Sequence, residues 1–118
     1  MTDIKLLALD LDGTLLNADK QISQRNREAI FAARAKGVKV VLTTGRPLKA
    51  MEYLLDELGT AGLADEYTIT FNGGLVQRNS GQILDKIVFS HEDVMRIFRE
   101  TKRLNLPLDA ISDDLVYQ

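Results

Sequence analysis

Apolar residues fall along this chain in short unbroken blocks, each of which ends abruptly in small or polar residues. Residues 4–9 are apolar except for Lys5 and stop at Asp10, Asp12 and Gly13; residues 38–42 stop at Thr43-Thr44-Gly45; residues 67–71 stop at Asn72-Gly73-Gly74. Blocks this short, rich in β-branched residues and closed by turn formers, are read as strands rather than helices. Between them lie helical patterns. Ser23 is placed to cap a helix over 24–36 with Ala29, Ile30 and Ala33 on one face, and Gly37 stands where a left-handed terminal residue is wanted. After Pro47, which suits the first turn of a helix, Leu48, Met51, Leu54, Leu55 and Leu58 mark an apolar stripe that stops before Gly59.

A strand, helix, strand order of this length predicts a right-handed crossover and a parallel pair, with residues 4–9 as the first, central strand. The polar ends of the strands then share one edge of the sheet, the edge at which open α/β sheets bind ligands. Further on, residues 75–77 and 82–89 flank Asn79-Ser80-Gly81 and read as a hairpin. Ser90 caps a helix over 91–104, with Asp93 three residues on and Val94, Ile97 and Phe98 turned inward. Asn105-Leu106-Pro107 breaks it, and residues 108–112 and 115–117 form two strand-like pieces around Asp113-Asp114. The expectation is a Rossmann-like α/β domain over residues 1–82, a parallel sheet with helices on both faces, followed by an α+β segment over 83–118. A chain that stops inside an apparent hairpin leaves an edge strand without its neighbour, so the sequence is expected to be the front part of a longer protein.

Composition narrows the function classes. Of 118 residues, 45% are hydrophobic and 27% charged, which suits one globular domain. A net charge of −2 supplies no basic field for nucleic acid or an anionic membrane surface, so neither is an expected partner. With no cysteine, a disulfide scaffold, a thiolate metal site and a cysteine nucleophile are all excluded. The start lacks the signature of a signal peptide and no apolar run reaches a membrane span, so a cytoplasmic protein is expected.

The chemistry lies at the strand ends. Asp10 and Asp12 stand two residues apart, so in an extended chain their side chains share a face and can address one substrate, provided that the extension persists through Leu11. Gly13 lets the backbone turn, and a divalent cation can offset the repulsion between the acids; such a hard, oxygen-rich site suits magnesium and phosphate. The plainer alternative is an Asp-Gly turn with solvated acids. Thr44 and Gly45, beside a helix start, can bind an anion or simply turn the chain. Arg46 is a candidate contact for a substrate phosphate and equally an ordinary surface charge. Asn72 either positions phosphate or accepts a left-handed turn before Gly73. His91, the one histidine, reads as a solvated first-turn residue.

Asp10-Leu11-Asp12-Gly13-Thr14-Leu15 resembles the first motif of the haloacid-dehalogenase-like phosphatases. Residues 40–47, Val-Val-Leu-Thr-Thr-Gly-Arg-Pro, resemble the second motif in the Cof-type sugar-phosphate phosphatases, and Thr70-Phe71-Asn72-Gly73-Gly74 is similar to that group's Asn-Gly segment. The similarity runs through nearly the whole chain. It implies that Asp10 is the nucleophile that takes the phosphoryl group and a magnesium ligand. Asp12 would be the general acid and then the base, with its backbone carbonyl on the metal. Thr44, the Gly45 N–H and the Leu11 N–H would hold phosphate, with Arg46 and Asn72 as further candidates.

The implied reaction is magnesium-dependent hydrolysis of a small phosphorylated metabolite, most plausibly a sugar phosphate, through an aspartyl-phosphate. The implied architecture makes residues 83–118 the beginning of a cap domain. The sequence also departs from the family pattern, because the lysine of its third motif and the acidic pair of its fourth are missing. Lys102 and Asp113-Asp114 mimic them, but at positions that suit a hairpin inside the cap. Three alternatives therefore stay open: a phosphomutase using the same acids, a catalytically incompetent phosphate-binding module, and a fragment ordered by self-association.

Overall fold

The computed structural model describes residues 3–112 and 116–117. The chain divides into two compact units between Lys86 and Ile87. The first holds a five-stranded sheet in the order β1 (Leu6–Asp10), β2 (Lys39–Thr43), β3 (Tyr67–Thr70), β4 (Leu75–Arg78) and β5 (Ile83–Lys86). The first three strands run parallel and the last two form an antiparallel extension, as the hairpin pattern predicts. Because β5 pairs with β4, this unit runs past the boundary expected at residue 82. The architecture is the Rossmann-like α/β fold expected from the sequence.

Helix α1 (Gln24–Ala35) connects β1 to β2, and α2 (Glu52–Leu58) lies between β2 and β3. Right-handed crossovers in the order β1, β2, β3 put both helices on one face, and the two touch each other there. The core beneath them combines Leu11, Leu16 and Ile22 from the segment after β1, Ile30 of α1, Val40 and Leu42 of β2, and Met51, Leu54 and Leu58 around α2. Helices are expected on both faces of the sheet, but no helix among the described residues of this unit covers the opposite face. Ser23 caps α1 as expected, its Oγ accepting from the Asn26 N–H at 3.2 Å.

Three local expectations need correction. Among the described residues β1 is the outermost strand rather than the central one, with only β2 beside it, so Leu6 and Leu7 remain 55% and 37% exposed. Pro47 does not sit in the first turn of α2. Its extended backbone (ψ 157°) leads into a 3-10 turn over Leu48–Ala50, and Met51, at φ −132°, breaks the continuity before α2 begins at Glu52. The third strand stops at Thr70 because Phe71 and Asn72 take left-handed backbone angles, φ 51° and 55°.

The second unit contains α3 (His91–Arg103) and the short antiparallel pair β6 (Ala110–Ile111) and β7 (Val116–Tyr117). Ser90 caps α3, accepting from the Asp93 N–H at 3.1 Å. Val94 is half-buried, but Ile97 and Phe98 are 39% and 46% exposed rather than inward. A ladder of two residues per strand is too small to cover the apolar face of such a helix. His91 is exposed as expected, Lys102 is exposed as well, and Asp113-Asp114 lie outside the described residues. No helix among the described residues is long and apolar enough to cross a membrane.

Candidate active site

Three chain segments meet at the carboxyl edge of the parallel strands. Asp10, the last residue of β1, pairs in register with Thr43, the last of β2. Beyond the strands the joining continues: the Thr44 N–H donates to the Ile69 carbonyl at 2.9 Å, and the Asn72 N–H donates to the Thr44 carbonyl at 3.0 Å. The first, second and third strand ends are thereby fixed to one another by backbone hydrogen bonds, which satisfy groups that would otherwise be left without partners.

The extension does not persist through Leu11. That side chain is fully buried in the core, and the chain turns there: the Leu15 N–H donates to the Asp10 carbonyl and the Leu16 N–H to the Leu11 carbonyl, while Gly13 takes φ 80°. Leu11 is buried while Asp10 and Asp12 are both exposed, and each acid finds its own neighbours. Asp10 Oδ2 accepts from the Thr14 hydroxyl at 3.4 Å. Asp12 faces two cations.

Arg46 grips Asp12 at two points, Nη2 to Oδ1 at 2.7 Å and Nε to Oδ2 at 3.0 Å. Lys20 Nζ lies 2.9 Å from the same Oδ1. Hydrogen bonds from Arg46, then from Lys20, hold the Asp12 carboxyl at a pKa of about 2, below its ordinary 3.8. In return the Asp12 hydrogen bond raises the pKa of Arg46. Arg46 is therefore no stray surface charge. Tyr53 joins the group, its hydroxyl accepting from Arg46 Nη1 at 3.5 Å and donating to the Lys20 carbonyl at 3.4 Å.

Thr44 is buried, and its hydroxyl accepts from the Arg46 N–H at 3.0 Å, which leaves the hydroxyl proton able to reach an anion. Gly45 is exposed beside it. The side chain of Asn72 crowds the Gly45 Cα, which is the close approach that calls for glycine there. All the candidates on the three strand ends are thus joined, but Lys20 and Tyr53 were not among them. Tyr53 lies in the first turn of α2, off its apolar stripe and exposed, and carries no motif. The signal for Lys20 was a polar stretch beginning with Asn17, a residue that commonly organises a tight loop.

The donor set fits magnesium. Asp10 offers a hard carboxylate and Asp12 a backbone carbonyl, and magnesium commonly takes only one or two carboxylates together with water and phosphate oxygens. Among the described residues no three His, Cys, Asp or Glu side chains cluster into a complete metal site, and the Asp12 carboxylate is committed to Arg46 and Lys20.

Residues 7–118 match the profile of the haloacid dehalogenase-like hydrolases. YxeH of Bacillus subtilis, provisionally named a phosphatase, is 35% identical over 114 residues, which cover 96% of this chain and 42% of that protein. The crystal structure of a haloacid dehalogenase-like hydrolase from Bacteroides thetaiotaomicron superposes with a TM-score of 0.81 at 30% identity, covering 97% of this chain and 43% of that one. A sugar phosphatase of subclass IIB of the same superfamily gives a TM-score of 0.74 at 25% identity, over 95% of this chain and 42% of its own. The chain therefore spans less than half the length of these relatives.

Proposed function

The chain belongs to the haloacid dehalogenase-like hydrolases, and from that premise we propose that it forms part of a magnesium-dependent phosphatase acting on a small phosphomonoester, most plausibly a sugar phosphate. The observation that carries this reading is the junction of strand ends, in which Asp10 stands opposite Thr43 and Thr44 is bonded to both β3 and Asn72. The likeness to a sugar phosphatase favours that substrate class. Residues 87–118 are proposed as the beginning of the cap.

In this mechanism an Asp10 carboxylate oxygen attacks phosphorus, forming the aspartyl-phosphate as the bond to the leaving oxygen breaks. Asp12, charged while Arg46 and Lys20 hold it, takes up a proton from water once Arg46 has turned to the phosphate, and gives that proton to the leaving oxygen. Water then attacks the phosphorus, Asp12 takes up the proton, and inorganic phosphate leaves with the Asp10 carboxylate restored. The Thr44 hydroxyl, the N–H groups of Leu11 and Gly45, and the side chains of Arg46 and Asn72 bind the equatorial oxygens. The Asp10 carboxylate and the Asp12 carbonyl would hold magnesium, which when bound would supply charge neutralisation at the phosphoryl group. Covalent transfer splits one difficult displacement into two easier ones, and the backbone N–H donors, fixed in advance, need no rearrangement as charge develops.

The test is phosphate release from a panel of sugar phosphates by the complete gene product, with magnesium and with a chelator. Release that depends on magnesium and disappears in Asp10→Asn is expected. Label from the substrate should be trapped on Asp10 after an acid quench. Failure of every sugar phosphate by a folded, magnesium-binding protein would overturn the reading, and return of label to another hydroxyl of the sugar would replace hydrolysis by a mutase reaction.

A further inference from the structure

We propose that Lys20 is a positioning residue for this site, an anchor that keeps the Asp12 carboxylate oriented when Arg46 turns to the incoming phosphate; the inference rests on the phosphatase reading above. Its basis is a shared oxygen. Asp12 Oδ1 receives Arg46 Nη2 at 2.7 Å and Lys20 Nζ at 2.9 Å, whereas Oδ2 receives Arg46 Nε. The two cations reach it from different loops.

A guanidinium binds two oxygens at once and suits phosphate as well as carboxylate, so a phosphate dianion beside Thr44 and Gly45 competes with Asp12 for Arg46. An ammonium is a compact charge with rotatable donors and can stay on Oδ1 through that exchange. Without it, Asp12 would lose both contacts to the guanidinium and turn freely.

An exposed lysine pair is by itself worth little, because holding a long side chain costs entropy. Here the backbone under Lys20 is built to limit that cost. Asn17 Oδ1 accepts from the N–H groups of Asp19 and Gln21, both at 3.0 Å. The Asn17 N–H donates to the Gln21 carbonyl at 2.9 Å, and the Lys20 N–H to the Asn17 carbonyl at 3.0 Å. Lys20 itself takes φ 60°, a left-handed angle uncommon for a lysine. Tyr53 then ties the Lys20 carbonyl to Arg46.

The experiment follows the Asp12 side-chain rotamer by Hα–Hβ couplings in this chain, titrated with inorganic phosphate in magnesium chloride. In the parent chain the Gly45 and Arg46 amide signals should shift while Asp12 keeps one rotamer throughout. Lys20→Met should match it without phosphate and show averaged couplings with phosphate. A single rotamer in phosphate-bound Lys20→Met would overturn the anchor while leaving the phosphate site standing. Unmoved Gly45 and Arg46 amides in the parent chain would instead overturn the phosphate site, and the anchor with it.

Discussion

The Asn72 carboxamide lies against Gly45 so closely that a Cβ on Gly45 would stand 2.9 Å from Oδ1 and 3.2 Å from Nδ2. The crowding atoms are the far end of a side chain, so the substitution Gly45→Ala displaces the amide more readily than the backbone. Fold stability should change by less than about 1 kcal/mol, as for a substitution outside the core. Phosphate affinity should fall about fivefold or more, the equivalent of one lost hydrogen bond. Thermal unfolding and a phosphate titration of the same variant separate the two effects.

Asp12 fixes the sign of one pH dependence. Its carboxyl is held at about 2 in the folded chain, against 3.8 ordinarily, first by the Arg46 hydrogen bond and then by that of Lys20. A depressed carboxyl pKa contributes stability that is fully present above the unfolded value and is lost as pH falls through the folded one, so the loss here falls between about 3.8 and about 2. The carboxyl carbon of Asp12, followed by NMR, should titrate near the lower limit. In Arg46→Met the midpoint should rise toward the ordinary value, because the first cause of the shift is gone. An unchanged midpoint would show that Arg46 does not hold Asp12 in solution.

The strand ends were legible because their chemistry is local: an apolar block that stops at Asp10, Thr43 or Thr70 announces both the strand and the edge it serves. The caps at Ser23 and Ser90 were legible for the same reason. What escaped depends on partners far along the chain. Nothing near residues 4–9 says which strand will lie on either side, so a parallel strand of continuous apolar character was read as central. Alternation puts Asp10 and Asp12 on one face, but it does not say that the chain turns after Leu11 or that Asp12 meets Arg46. Lys20 meets Asp12, and Tyr53 meets Arg46 and the Lys20 carbonyl, only through the loop after β1 and the first turn of α2, a meeting that neither segment encodes alone.

Burial should govern the stability of the first unit. Leu54 is fully buried and packs in the core beneath α1 and α2, so Leu54→Ala should cost about 2–5 kcal/mol, the range for large-to-small changes in a core. Leu6 is 55% exposed on the edge strand, and Leu6→Ser should stay within about 0.5 kcal/mol. Urea unfolding of both variants measures the contrast. Similar midpoints would mean that the edge strand is covered in solution.

The half-buried pair under α1 should be sensitive to the loss of either partner. Arg34 Nη1 donates to the Leu58 carbonyl at 2.9 Å, at the end of α2, and Nη2 donates to Glu66 Oε1 at 3.1 Å. Glu66→Gln keeps the shape and removes the charge, leaving a partly buried guanidinium with only neutral acceptors. The loss should be about 1.5–3 kcal/mol, the scale of a hydrogen bond to a charged group. The double variant Arg34→Met, Glu66→Gln should cost less than the sum of the two single variants, because the unpaired charge is then gone. A double-mutant cycle by urea unfolding gives the coupling directly, and a coupling of zero would mean that Arg34 acts only through the Leu58 carbonyl.

Arg46→Lys tests whether a positive charge is enough beside Asp12. Lysine keeps the charge, but one ammonium cannot reproduce the two-point contact at 2.7 and 3.0 Å while also meeting Tyr53. The Asp12 pair lies near the surface, so the fold should be little affected and the midpoint of urea unfolding should hardly move. Phosphate binding should weaken about tenfold, because the planar fork that suits two phosphate oxygens is replaced by a single donor site. Arg46→Met should weaken it further, and the difference between the two variants measures the charge apart from the geometry. Equal phosphate affinity in the parent chain and Arg46→Lys would show that the fork serves Asp12 alone, and the substrate phosphate would then have to be held by the Thr44 and Gly45 side of the site without Arg46.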